Sequence, residues 1–109
     1  MKIDFEKMEE APLEHFKGGE GRFLAKMYFD GTTRIMKGRL EPGCSIGLHR
    51  HEGNCEVMFI TSGRGYVVYD GERIDVKAGD AHFCPEGHEH TLINDSDEML
   101  AFSAVVPKQ

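Results

Sequence analysis

The chain has 109 residues, 39% apolar and 29% charged, which suits a single soluble domain with one core. Nineteen acidic against thirteen basic residues leave a net charge of −6, and the scattered basic residues argue against nucleic acid as a partner. No apolar run reaches the roughly 20 residues of a membrane helix, and the charged start MKIDFEKMEE has no signal-like apolar segment, so the chain reads as cytoplasmic.

In chain order, IDFEKMEEA is the only helix signal, with Asp4 as a possible N-cap and Pro12 beyond its end. Short runs rich in β-branched and aromatic residues follow, separated by Gly, Pro, Asn and Asp. They are RFLAKMYF, TRIMKGRL, a strand at 46–51, EVMFIT, YVVYD, RIDV, AHFC, HTLIN and MLAFSAVV. Asp70-Gly71, between two such runs, is the clearest hairpin turn. The pattern predicts one all-β domain, a sandwich or barrel.

Three cysteines, Cys44, Cys55 and Cys84, without a Cys-x-x-Cys pair support neither a disulfide framework nor a zinc knuckle. They read as reduced, partly buried thiols, although Cys55 and Cys84 lie close to the histidine clusters and leave a place at a pocket mouth open.

Residues two apart on a strand share a face, so His49 and His51 point the same way. EGNC, with Gly53 and Asn54, reads as a tight connection. If the strands at 46–51 and 56–61 are adjacent and antiparallel, Glu56 faces the same interior. His90 shares a phase with Leu92 and Asn94 and is expected to point inward, which makes a set of three imidazoles and one carboxylate.

These residues fall into two spaced motifs. The first runs Gly43, His49, His51, Glu56, Gly63; the second runs Gly79, Pro85, Gly87, His90, Asn94. In both, the chain resembles the cupin superfamily, and every fixed position is occupied. The resemblance implies a double-stranded β-helix, or jelly-roll barrel, with His49, His51, Glu56 and His90 as metal ligands. It divides the chain into an N-terminal extension, residues 1–21, and a barrel, residues 22–109. Gly43, Gly63, Gly79, Pro85 and Gly87 are then scaffold. Many members are homodimers, and the extension can add an edge strand to a neighbour.

A mixed nitrogen and oxygen set of this kind suits a divalent transition metal: Fe, Mn, Ni, Co or Zn. Four protein ligands on an octahedral ion leave two adjacent positions for water or substrate. The expected function is a metal-dependent enzyme of oxygenase, isomerase, lyase or decarboxylase type, acting on a small oxygen-rich or carboxylate-bearing molecule. The alternative is a non-catalytic module that binds or senses a sugar or carboxylate through the metal.

Other residues read more plainly. His82 and His88 lie outside the ligand positions and are expected to be loop or supporting residues, so that removing His82 leaves metal content nearly unchanged. His15 reads as surface. Ile60 reads as core, Met58 as core or pocket floor, and Val57 and Phe59 on the opposite face as core too. Tyr66, Tyr69, Phe83 and Phe102 can line a pocket. Tyr66 and His88 are general-base candidates by chemistry or position alone. Arg34 and Arg39 can meet a substrate carboxylate, but a solvated strand face is the expected place for both.

Overall fold

The computed structural model describes residues 1–109 and holds ten strands in two antiparallel sheets. The strands are β1 (Ala11–Glu14), β2 (Arg22–Phe29), β3 (Thr33–Leu40), β4 (Ser45–Arg50), β5 (Glu56–Ser62), β6 (Arg64–Tyr69), β7 (Glu72–Lys77), β8 (Ala81–Cys84), β9 (Glu89–Ile93) and β10 (Leu100–Pro107). One sheet has the order β1-β2-β3-β10-β5-β8 and the other β4-β9-β6-β7. Together they form a jelly-roll barrel, and the apolar core fills the space between them.

Side-chain alternation decides what fills that space. Along β10, Leu100, Phe102, Ala104 and Val106 are buried while their neighbours are half exposed. Along β5, Glu56, Met58 and Ile60 are buried and Phe59 is 49% exposed, so only one face of this strand is core. The expectation that Val57 and Phe59 are also core does not hold, because no second layer covers the outer face of the six-stranded sheet. Across that outer face Tyr28, Ile35, Val105, Val57 and Phe83 stand side by side on five successive strands.

The Asp70-Gly71 turn joins β6 to β7 with two residues, both at positive φ (48° and 83°). This is the geometry whose twist matches the flanking strands. The helical turn that IDFEKMEEA could form is a 3-10 turn at Phe5–Lys7, and Asp4 makes no side-chain cap there. Pro12 lies inside β1 at the sheet edge, where its missing N–H interrupts no interior ladder.

Two features correct the sequence reading and place the functional residues. First, β4 and β5 are not paired: β4 lies beside β9 in the smaller sheet, and β5 lies between β10 and β8 in the larger. The connection at 51–55 crosses the barrel, so Glu56 meets the histidines from the opposite wall. Second, β4 carries a bulge. Ile46 pairs with Leu92 but His49 pairs with His90, so Gly47 and Leu48 together oppose one residue of β9. Without that extra residue, strict alternation from buried Ile46 would turn His49 away from the interior.

Within residues 1–21, β1 pairs with the chain's own β2, and the 3-10 turn Phe16–Gly18 lies on β4. This second contact is close. A Cβ at Gly47 would overlap the Lys17 carbonyl oxygen, and one at Gly19 would overlap the Ser45 carbonyl oxygen. Ser45 fastens the same place by accepting the Glu20 N–H on its hydroxyl (2.9 Å) and donating its own N–H to the Glu20 carbonyl (2.9 Å).

Candidate metal centre

His49 comes from β4, His51 from the residue after it, Glu56 from the start of β5 and His90 from β9. One ligand atom from each lies within 4.8 Å of all the others. His90 Nε2 is 3.0 Å from Glu56 Oε1, 3.0 Å from His51 Nε2 and 3.2 Å from His49 Nε2. Glu56 Oε1 is 3.1 Å from His51 Nε2 and 4.0 Å from His49 Nε2. Glu56, His51 and His90 are buried, and His49 is partly exposed.

The outward ring nitrogens decide what the inward ones can do. His49 Nδ1 is 2.9 Å from the Gly47 carbonyl in the bulge. A carbonyl only accepts, so Nδ1 carries the hydrogen and Nε2 presents a lone pair. His51 Nδ1 donates in the same way to Asn54 Oδ1 at 2.7 Å. His90 Nδ1 is 3.0 Å from His82 Nε2. Burial, reinforced by His90, pushes the His82 imidazole down to about 4, so this ring is neutral and can accept. Three imidazole lone pairs and one carboxylate oxygen therefore converge on one small volume. With the rings neutral, such a set fits a cation, because no hydrogen then points into it.

Protons compete for the same place. Burial alone would raise the Glu56 carboxyl, but hydrogen bonds with His51 and His90 outweigh it and bring it to about 2. His51 is raised above its ordinary value, since hydrogen bonds with Glu56 and Asn54 outweigh the downward effect of burial. His49 is lowered by burial, with the Gly47 carbonyl opposing. Where His51 is protonated, metal uptake must displace that proton. Below that raised value, apparent metal affinity should fall about tenfold per pH unit, as competition for one proton requires. Metal titrations at several pH values between neutrality and mild acid check this, and a flat profile would contradict it.

Beside the cluster is a cavity of about 310 Å³. His49, His51, Asn54 and Glu56 form its polar end. Phe23, Met27, Met36, Ile46, Met58 and Val106 line it from the strands, and Leu13, Phe16 and Lys17 close it from the N-terminal segment. Met58 thus belongs to the cavity wall, and Ile60 belongs to the core alone. Arg34 lines the cavity too, contrary to the expected solvated face. Arg39 does sit on the outer face, paired with Glu10 at 2.6 Å.

Several candidates stand elsewhere. Tyr66, Tyr69, Phe83 and Phe102 do not line this cavity. Phe102 stacks on Phe23 in the core, Phe83 is 55% exposed, Tyr66 lies under Arg73, and Tyr69 packs edge-on against His82. His88 bonds Asp70 (2.5 Å) outside the cavity, and His15 is exposed. The three cysteines are free; burial pushes the Cys84 thiol up to about 12, which makes it unreactive near neutrality. Asn94, fully buried, donates to the Leu40 and Glu98 carbonyls and accepts from Ser96, so its place in the motif is structural.

The fold is a jelly-roll barrel with three histidines and a glutamate converging inside it, a cluster that could hold a metal ion. The comparisons with known proteins agree on the fold. The Cupin domain model matches residues 36–106, and the chain belongs to the cupin family. An oxalate-binding protein of Thermotoga maritima is 33% identical over 100 residues, covering 86% of this chain and 83% of that protein. A crystal structure of a predicted oxalate decarboxylase from Thermotoga maritima superposes with a TM-score of 0.93 at 28% identity, with 100% of each chain covered. A Cupin 2 conserved barrel domain protein from Salinispora arenicola gives a TM-score of 0.77 at 26% identity, covering 99% of this chain and 89% of that one. No helix of this chain is long and apolar enough to cross a membrane.

Proposed function

We propose that this protein holds a divalent transition metal on His49, His51, Glu56 and His90 and uses it to bind a small carboxylate, with oxalate as the first candidate. The observation that carries this reading is the convergence of three imidazole nitrogens and one carboxylate oxygen at one end of a small cavity whose other walls are mostly apolar. The ion, when bound, supplies a Lewis acid able to chelate and polarise a carboxylate. Fe, Mn, Ni, Co and Zn all suit the donor set. The similarity to an oxalate-binding protein supports the choice of ligand.

Binding is favoured over turnover by what the cavity lacks. Its one carboxylate and both of its imidazoles belong to the ligand set. Lys17 is the remaining lining side chain able to pass on a proton. A decarboxylase or isomerase would route its proton transfer through that residue. Calorimetry on metal-loaded protein should show saturable oxalate binding that is lost on chelation, with no product formed with or without O₂. Sustained release of CO₂ or formate would replace this reading with the enzymatic one, and absence of binding would refute both for oxalate.

The protein is further proposed to act as a cytoplasmic homodimer. The apolar row from Tyr28 to Phe83 gives a second copy a face to cover. The solution mass should be twice 12.3 kDa and should fall to that of one chain in Phe83→Glu. A monomeric wild type would contradict this.

A further inference from the structure

We propose that Arg34, assisted by Lys17, is the ligand-selecting pair of the cavity, making it a receptor for dicarboxylates in preference to monocarboxylates. The inference rests on the reading of the site as a metal-assisted carboxylate receptor and assigns its selectivity to two residues.

Arg34 occupies an unusual place for an arginine. On β3 it shares a phase with Met36, Gly38 and Leu40, all buried on the inner face. It is therefore an inward-facing cation at the cavity end of a strand that is otherwise apolar inside. Its register partners are Phe29 on β2 and Val106 on β10, neither of which offers an acceptor side chain. The guanidinium lies over the Phe29 ring, 4.5 Å from its centroid, and Nη1 lies 3.4 Å from the Met27 sulfur.

No carboxylate neutralises it. The arginine and lysine ion pairs of the chain are Arg22 with Glu41, Arg39 with Glu10, Arg73 with Asp75 and Asp95, and Lys77 with Asp80. The single carboxylate lining the cavity, Glu56, is taken by the histidines. A guanidinium stacked on an aromatic ring is a rigid fork with free donors, the form that receives a carboxylate in bidentate fashion.

Lys17 is held at the opposite wall by backbone. Its φ of 57° is left-handed, and its carbonyl is pressed against Gly47, so the segment has little freedom to carry the residue elsewhere. It too has no ion pair. With a divalent ion on the four ligands, the cavity would carry three sources of positive charge against one carboxylate. A dianion answers that field better than a monoanion does, and the Arg34 fork supplies the directional contact for the second carboxylate.

The test compares oxalate and acetate binding to metal-loaded wild type, Arg34→Met, Arg34→Lys and Lys17→Met, with metal content and melting temperature as controls. Arg34→Met should weaken oxalate by about 10- to 100-fold and acetate by less than about threefold, since a charge-assisted bond to the second carboxylate is lost. Arg34→Lys should recover part of the loss, because it restores charge without the fork. Lys17→Met should weaken oxalate by about three- to tenfold, as a partly solvated point charge would. Metal content should stay unchanged throughout. Oxalate binding at wild-type strength in both Met variants overturns the assignment and leaves the carboxylate reading standing. Equal losses for oxalate and acetate also overturn it. Wild type that binds neither anion overturns the carboxylate reading and this inference together. Should Arg34→Met melt early, Arg34→Lys and Lys17→Met decide the question.

Discussion

Replacing His51 by Ala should empty the site: metal content falls below about a tenth of an equivalent, and added metal no longer raises the melting temperature. His51 is buried within the cluster. Its Nε2 lies 3.1 Å from Glu56 Oε1 and 3.0 Å from His90 Nε2, and Asn54 fixes its outward nitrogen at 2.7 Å. For the wild type, a metal present at 1,000 times its Kd stabilises the fold by about 4 kcal/mol, which is a shift well above 10 °C for a domain of this size. In the variant that shift should vanish. His82→Ala should fall between the two. The sequence alone suggests no effect there, but His82 accepts from His90 Nδ1 at 3.0 Å, and losing such a partner typically weakens metal binding 10- to 100-fold. His82→Gln keeps an acceptor oxygen and should recover part of that loss. Metal titrations on the three variants check the order, and wild-type affinity in His51→Ala would contradict it.

The second large effect is expected at Gly47, which carries no chemistry. A Cβ there meets three backbone atoms of the N-terminal segment, the Lys17 carbonyl oxygen and carbon and the Gly19 nitrogen, and backbone cannot rotate aside as a side chain can. Gly47→Ala should cost about 1–3 kcal/mol through overpacking, lowering the melting temperature by roughly 5–15 °C. The segment that lifts away brings Leu13, Phe16 and Lys17 to the cavity, so oxalate affinity should fall with it. Metal binding should suffer less, because the Gly47 carbonyl that orients His49 belongs to the backbone and survives the substitution. Differential scanning calorimetry and ligand titration separate the two effects. A melting temperature within 1 °C of wild type would mean that the 17–19 segment is not pressed against β4 as described.

Much of the fold was legible because strands obey a two-residue period. RFLAKMYF and TRIMKGRL match β2 and β3 residue for residue, and the alternation of Glu56, Met58 and Ile60 is the inner face of β5. The convergence of His49, His51, Glu56 and His90 was legible for a similar reason, with motif spacing supplying what phase could not. How they converge was not. Local reading allowed β4 and β5 to be neighbours, but pairing is a long-range property: β4 pairs with β9, and β5 pairs with β8 and β10, all far along the chain. The bulge at Gly47 and Leu48 was hidden because one inserted residue leaves no compositional mark except the glycine itself.

The N-terminal wall escaped for a different cause. Leu13, Phe16 and Lys17 have no periodicity that ties them to a cavity, and only the facing glycines, Gly19 and Gly47, hinted at a close passage of two backbones. Arg34 was misread because a charged residue in a strand is usually the wet face. Counting its phase against Met36 and Leu40 would have turned it inward. His82 follows the same rule: its alternation with exposed Ala81 and Phe83 places it inside, beside the ligand it supports.

The central claim is that His49, His51, Glu56 and His90 hold a metal ion. Elemental analysis of protein purified without a metal-binding tag, before and after reconstitution with each candidate ion, tests it most directly. About one equivalent of a transition metal per chain is expected, removable by chelation and absent from His51→Ala. Less than about a tenth of an equivalent after every reconstitution would contradict it and leave the cluster as a buried hydrogen-bonded network.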